Sequence, residues 1–219
     1  MFIPSGSSCI DSLLGGGVET GTITQIFGAS GTGKTTLCLM FAKNAAKQYK
    51  VAYIDTEGLS AERVKQIFQK DLQLFSNVYV QEVFTFKQQA AALKEAEKLC
   101  REEKVKLIIV DSFTALYRSE LEDEERQVKI KRELTAQLTF LLGLARKLDL
   151  AVIITNQMFT DVKTGQDRPL GGTSIEHLSK TSILLERIGS VRRATLVKHR
   201  FKKEGESCEF IISDRGIEP

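Results

Sequence analysis

The segment Gly28-Ala29-Ser30-Gly31-Thr32-Gly33-Lys34-Thr35 constrains this chain more than any other. It meets the spacing G-x-x-x-x-G-K-[ST] at every fixed position. A strand-like run, Thr22 to Phe27, precedes it, and a helix-like run, Thr36 to Tyr49, follows. Glycines let the backbone curl until successive N–H groups point at phosphate oxygens. The helix N-terminus adds positive partial charge on the same anion. Lys34 is expected to reach the terminal phosphates of a nucleoside triphosphate, and the Thr35 hydroxyl to ligate Mg²⁺. The nucleotide-binding candidates are therefore Gly28, Ala29, Ser30, Gly31, Thr32, Gly33, Lys34, Thr35 and Thr36, and the expected ligand is ATP with Mg²⁺.

Apolar runs alternate with longer amphipathic stretches along most of the chain, which predicts an α/β fold around a mainly parallel sheet. Strands are expected at Val51 to Asp55, Val78 to Val80, Leu107 to Val110 and Ala151 to Thr155. Helices are expected over Leu59 to Lys70, Lys87 to Glu103 and about Glu125 to Leu148. Leu107-Ile108-Ile109-Val110 is wholly apolar, as a strand buried on both faces must be. From Met158 to Gly172 no period is visible, so a loop of about fifteen residues is expected there, long enough to be functional or disordered. Three strand-like segments close the chain without helices between them: Ser182 to Ile188, Ala194 to Lys198 and Cys208 to Ile212. These are expected to extend the sheet by antiparallel pairing.

Ligands of parallel α/β sheets sit beyond the carboxyl ends of the strands. The second strand ends in Asp55-Thr56-Glu57-Gly58, where a carboxylate can act as general base toward water, and Glu57 is the candidate. The apolar run at 107–110 ends in Asp111-Ser112, and an acid at that point, downstream of a phosphate loop, is the expected outer ligand of Mg²⁺ together with Thr35. The next strand ends in Asn156-Gln157. An amide there can sense a γ-phosphate, although on spacing alone ordinary turn chemistry stands level with that reading.

Composition adds bounds. With 219 residues, 42% of them hydrophobic, and no Gly/Pro/Ser-rich divider, one domain over 1–219 is expected. The net charge of +3 is too modest to announce a nucleic-acid binder by itself. Basic residues do cluster, at Arg126, Lys129, Lys131 and Arg132 and again from Arg187 to Lys203, but such clusters alone read first as solvated faces and ion pairs. Cys9, Cys38, Cys100 and Cys208 form no C-x-x-C pair, so reduced, scattered thiols are expected. No stretch approaches membrane-spanning length and no leader pattern opens the chain, which predicts a cytoplasmic protein.

Taken in order, Phe27 to Thr35, Tyr53-Ile54-Asp55-Thr56-Glu57-Gly58, Asp111 to Arg118, Ile153 to Gln157, Pro169-Leu170-Gly171-Gly172 and the opening Gly6-Ser7 with Leu13 to Gly21 resemble the RecA/RadA recombinase ATPase core over essentially the whole chain. The resemblance implies a RecA-like P-loop NTPase. In it Lys34, Glu57 and Gln157 carry catalysis, Glu57 as the glutamate base and Gln157 as the γ-phosphate sensor, and Asp111 is the Walker B acid. It implies a first DNA-binding loop from Tyr117 to about Glu125. A second runs from Met158 to Gly172, with Phe159, Lys163 and Arg168 as its contact candidates. Lys198 and Arg200 resemble the basic pair that reaches a neighbouring subunit's ATP.

Two departures from the family stand out. The chain starts at the core, without the helical DNA-binding domain and the Phe/Ala polymerisation motif of the longer recombinases. Its first loop, Ser119-Glu120-Leu121-Glu122-Asp123-Glu124-Glu125, is densely acidic and repels phosphates. The short archaeal form of the family matches best. It implies an accessory protein of homologous recombination and DNA repair, with weak ATP hydrolysis and salt-dependent, sequence-independent DNA binding. The implied partners are a main recombinase of the RadA type, a Holliday-junction nuclease and further copies of the chain. A complete strand-exchange ATPase and a regulatory ATPase acting on proteins without DNA remain as alternatives.

Overall fold

Alternating apolar strands and amphipathic helices build a sheet covered on both faces. The computed structural model describes residues 1–122, 127–160 and 167–218. In chain order it contains β1 (Phe2–Ile3), α1 (Ser8–Leu14), β2 (Val18–Glu19), β3 (Ile23–Gly28), α2 (Lys34–Ala45), β4 (Lys50–Asp55) and α3 (Ala61–Phe68). After 3₁₀ turns over Gln69–Asn77 come β5 (Val78–Glu82), α4 (Phe86–Glu102), β6 (Val105–Asp111), α5 (Ala115–Ser119) and a short 3₁₀ turn, Glu120–Glu122. Then follow α6 (Gln127–Leu148), β7 (Ala151–Asn156), β8 (Met158–Thr160), β9 (Asp167–Pro169), α7 (Thr173–Leu178), β10 (Thr181–Ile188), β11 (Val191–Lys198), β12 (Ser207–Ser213) and β13 (Gly216–Glu218).

Among the described residues the main sheet has nine strands in the order β13-β12-β11-β10-β3-β7-β6-β4-β5. The six from β10 to β5 are parallel, and β11, β12 and β13 continue the sheet antiparallel. This is the RecA-like arrangement: a mostly parallel sheet with an antiparallel C-terminal wing. Successive strand side chains point to opposite faces. Tyr53, Ile109 and Ile153 therefore pack with Leu37 and Phe41 of α2 on one side. Ile54, Val110 and Ile154 pack with Leu93 of α4 and Leu138 of α6 on the other.

Several expectations need correction. The helix expected over Leu59 to Lys70 is confined to Ala61–Phe68, because Gln69 leaves helical geometry at φ 45°. Helix α2 begins at Lys34, two residues earlier than its amphipathic pattern, because the phosphate loop runs directly into it. The stretch Met158 to Gly172 is not wholly irregular, since β8 and β9 pair antiparallel, with Phe159 opposite Arg168. The expected first loop opens with a helix, α5, before it leaves the described residues at 123. The cysteines are not all free: Cys9 on α1 and Cys208 on β12 are disulfide-bonded, while Cys38 and Cys100 are buried thiols. Residues 199 apart in the chain leave no local spacing to read, because only the antiparallel wing brings them together.

Candidate functional site

The parallel strands deliver β3, β4, β6 and β7 to one edge with their carboxyl ends together. Strand β3 ends at Gly28, whose φ is 154°. A Cβ there would stand 2.2 Å from the Leu185 carbonyl oxygen of β10, so only glycine lets the loop leave the strand at that point. Gly33, the left-handed N-cap of α2, is similarly confined: a Cβ would meet Ile212 Cδ1 of β12 at 2.8 Å. Between them the Thr32 hydroxyl donates to Ala29 O at 2.9 Å. Lys34 Nζ donates to Gly28 O at 2.8 Å and Ala29 O at 2.9 Å, which holds its ammonium over the loop. Burial pulls the Lys34 pKa down, and the negative charges of Glu57 and Asp111 partly offset that pull.

Sequence reasoning left Asp55 and Glu57 as two acids at one strand end, and the structure separates their roles. Asp55 is buried and accepts backbone N–H groups from Glu57, Gly58 and Leu59, so it builds the turn. Glu57 is exposed toward the cleft, and its Oε1 accepts from Gln157 Nε2 at 2.7 Å. The proposed base and the proposed sensor are thus in direct contact. Thr56 ties this turn to the end of β6: its N–H donates to Asp111 O at 2.9 Å, and its hydroxyl accepts from Ser112 N at 2.8 Å. The Asp111–Ser112 peptide is cis.

Asp111 is 3% exposed, and neighbouring strands supply its partners. Tyr53 Oη donates to Oδ2 at 2.8 Å, and the Thr155 hydroxyl donates to Oδ1. Burial first, and the Asp111 charge second, push the Tyr53 phenol well above its usual range, so it stays a donor at every working pH. Tyr53→Phe would leave one oxygen of a buried carboxylate short of a donor. It is expected to lower stability by about 1–3 kcal/mol in urea unfolding. An unchanged midpoint would mean that this bond contributes nothing.

The phosphate loop opens on a cleft of about 420 Å³ lined by Ala29 to Gly31, Gly33 to Thr36, Glu57 and Gln157. It also takes in Arg118, Met158 and Ile212, none of which was singled out from the sequence. Arg118 was read from the sequence only as part of the Asp111 to Arg118 segment and of the first loop, and it is α5 that brings it to the cleft. The main chain after the sensor is anchored too. Asn156 Nδ2 donates to Leu170 O at 2.6 Å, and Leu170 N donates to Gln157 O at 3.0 Å, so the arm returning from β9 hangs on the sensor itself. Of the loop candidates, Phe159 is 36% exposed and Arg168 is exposed, while Lys163 lies outside the described residues.

Lys198 and Arg200 are not gathered into this cleft. Lys198 pairs with Ser182, which lies beside Gln25, three residues before Gly28 and toward the amino ends of the parallel strands. Its Nζ donates to the carbonyls of Glu176 and Ser179, and burial lowers its pKa. Arg200 pairs with Glu19 at 3.1 Å. In the basic tail Arg193 is paired with Glu209 at 2.7 Å, as a solvated ion pair would be.

A phosphate loop, two acids and an amide at the carboxyl edge of a RecA-like sheet define a RecA-type nucleotide-binding protein. Comparison with known proteins agrees. The Rad51 family matches residues 1–219. The DNA repair and recombination protein RadB of Archaeoglobus fulgidus is 73% identical over 219 residues, covering 100% of this chain and 99% of that protein. The protein of the same name from Methanococcoides burtonii is 48% identical, with 96% of each chain covered. A crystal structure of the RadB recombinase superposes with a TM-score of 0.84 at 33% identity, covering 99% of both chains. The chain belongs to the Rad51 family of DNA repair and recombination proteins, in its RadB branch. Among the described residues no helix is long and apolar enough to cross a membrane.

Proposed function

We propose that the chain is an ATP-binding accessory protein of homologous recombination, which binds DNA and assists or regulates a RadA-type recombinase while hydrolysing ATP slowly. One observation carries this reading. Lys34, Glu57 and Gln157 line one cleft within a single chain and the Asp111 charge acts on Lys34, whereas Lys198 and Arg200 are held toward the opposite edge of the sheet by Glu176, Ser179 and Glu19. In this reading Arg118 is the further cation beside the chain's own cleft, Lys198 and Arg200 act only across a subunit interface, and an isolated chain is a poor catalyst.

The donor set suits Mg²⁺. Thr35 offers a hydroxyl and Asp111 a carboxylate whose orientation Tyr53 and Thr155 fix. Hard oxygen ligands with the remaining positions left to water and phosphate are what this ion prefers. Bound there, Mg²⁺ would supply positive charge to the β- and γ-phosphates. Lys34 neutralises the same groups. Glu57 orients and deprotonates the attacking water, and Gln157 holds Glu57 in place. A γ-phosphate that draws the Gln157 amide away frees Glu57 and pulls on the Leu170 arm, so nucleotide state reaches the segment that carries Phe159, Lys163 and Arg168.

DNA binding in this reading is electrostatic. The salt test is a titration with single-stranded DNA at 50 and 200 mM salt, where affinity is expected to fall at least about tenfold. The acidic run from Ser119 to Glu125 favours a second reading, a regulatory ATPase acting on protein partners without DNA. Absence of salt-dependent binding at either concentration would support that second reading. Efficient strand exchange by this protein alone would overturn the accessory reading in favour of a complete recombinase. ATPase turnover with and without single-stranded DNA, beside a mass measurement in solution, tests the shared site. Turnover should rise only where subunits associate. Among candidate partners, a RadA-type recombinase and a Holliday-junction nuclease are to be tried by co-purification with and without ATP.

A further inference from the structure

Two cysteines lie where the nucleotide chemistry has no use for them. Cys9 on α1 and Cys208 on β12 are bonded through their sulfurs, with Cα atoms 6.0 Å apart. The elements they join are a short helix and a strand near the edge of the sheet. Helix α1 has seven residues, too few to hold as an isolated helix, and it depends on burying Ile10, Leu13 and Leu14. Among the described residues, strand β12 is covered on its outer edge only by the three residues of β13. One face of β12 carries Cys208, Phe210 and Ile212 at the two-residue strand period. Phe210 is 1% exposed in the core, and Ile212 lines the nucleotide cleft against Gly33. A strand fixed to α1 at one end therefore presents the wall of the phosphate loop at the other, about 14 Å away for four residues.

We infer that the Cys9–Cys208 bond works as a redox-sensitive staple, which ties α1 to β12 and so holds this wall of the nucleotide cleft in place. Cys38 and Cys100 are buried away from it and stay thiols. A cleft of about 290 Å³ beside Cys9 and Cys208, lined by Ser12, Leu13, Glu206 and Ser207, gives a small disulfide RSSR access. One thiol loses its proton and attacks RSSR, forming a mixed disulfide and releasing RSH. The second thiolate then displaces the remaining RS group, which leaves as RSH. Two protein thiols are oxidised and RSSR is reduced to two RSH. Cross-linking residues this far apart in sequence restricts the unfolded chain strongly.

The full chain is treated with oxidised glutathione, denatured and alkylated, and the labels are counted by intact mass. Two labels are expected, rising to four when reduction precedes alkylation. Four labels after oxidation, or covalent dimers in place of the internal bond, would overturn the site. The oxidised protein should melt on the order of 10 °C above the reduced one. Cys208→Ser should melt with the reduced form whatever the redox state. Should that variant not fold, reduced wild type supplies the comparison. Amide exchange in α1 and β12 should quicken on reduction. Equal melting temperatures of oxidised and reduced wild type would overturn the stapling role even if the bond forms.

Discussion

Lys34→Ala is expected to remove detectable ATP binding in calorimetry while leaving the fold intact. The ammonium lies over Gly28 O and Ala29 O at 2.8 and 2.9 Å, at the point where the loop's N–H groups and the α2 terminus concentrate positive potential. A charge-assisted contact to phosphate is about twice as strong as a neutral hydrogen bond. Because the Lys34 side chain is itself buried, its loss should weaken binding by at least roughly 100-fold, about 3 kcal/mol. The side chain is 8% exposed, so folding needs its own control. Removing a buried cation whose pKa is already depressed by desolvation takes away a burial penalty along with two hydrogen bonds, and the net change in melting temperature should be small. Circular dichroism of the variant reads this directly. A folded Lys34→Ala protein that still binds ATP with wild-type affinity would contradict the assignment of the loop.

The parallel core was legible because burial on both faces leaves no choice of residue. Ile108 to Val110 and Val152 to Ile154 can be neither surface nor loop, and they set the spacing from which Asp111 and Gln157 were found. The phosphate loop was legible because its conformation needs glycine at fixed places, as Gly28 and Gly33 confirm. The partners of Asp111 were not legible. Tyr53 and Thr155 reach it only because β4 and β7 lie on either side of β6 in the observed register, with Tyr53 beside Ile109 and Ile154 beside Val110. The contact between Glu57 and Gln157 spans 100 residues, and that between Cys9 and Cys208 spans 199. Sheet order decides all three, and a one-dimensional pattern of hydrophobicity does not carry sheet order. The hairpin arms β8 and β9 were missed for a different reason. Three residues each are too few to display a two-residue period, and Pro169 in β9 argues against a strand in any sequence reading.

Glu57→Gln is the other change expected to have a large effect, and it is the sharper probe because it keeps the local architecture. The substituted amide has the same shape, and its oxygen can still accept from Gln157 Nε2, so the 2.7 Å link between base and sensor survives. The turn is preserved as well, because Asp55, not Glu57, accepts the backbone N–H groups of residues 57 to 59. What disappears is the capacity to take a proton from water. General-base catalysis contributes about 10²–10⁴-fold, and turnover should fall by that factor. ATP affinity should be unchanged or rise slightly, because one negative charge near Lys34 and the phosphates is gone. DNA binding in the presence of ATP should persist longer than in wild type if the nucleotide state gates the Leu170 arm. Single-turnover hydrolysis and a nucleotide titration on the same preparation separate these quantities. Unchanged turnover would place the base elsewhere, and loss of both binding and turnover would mean that Glu57 is holding the cleft together.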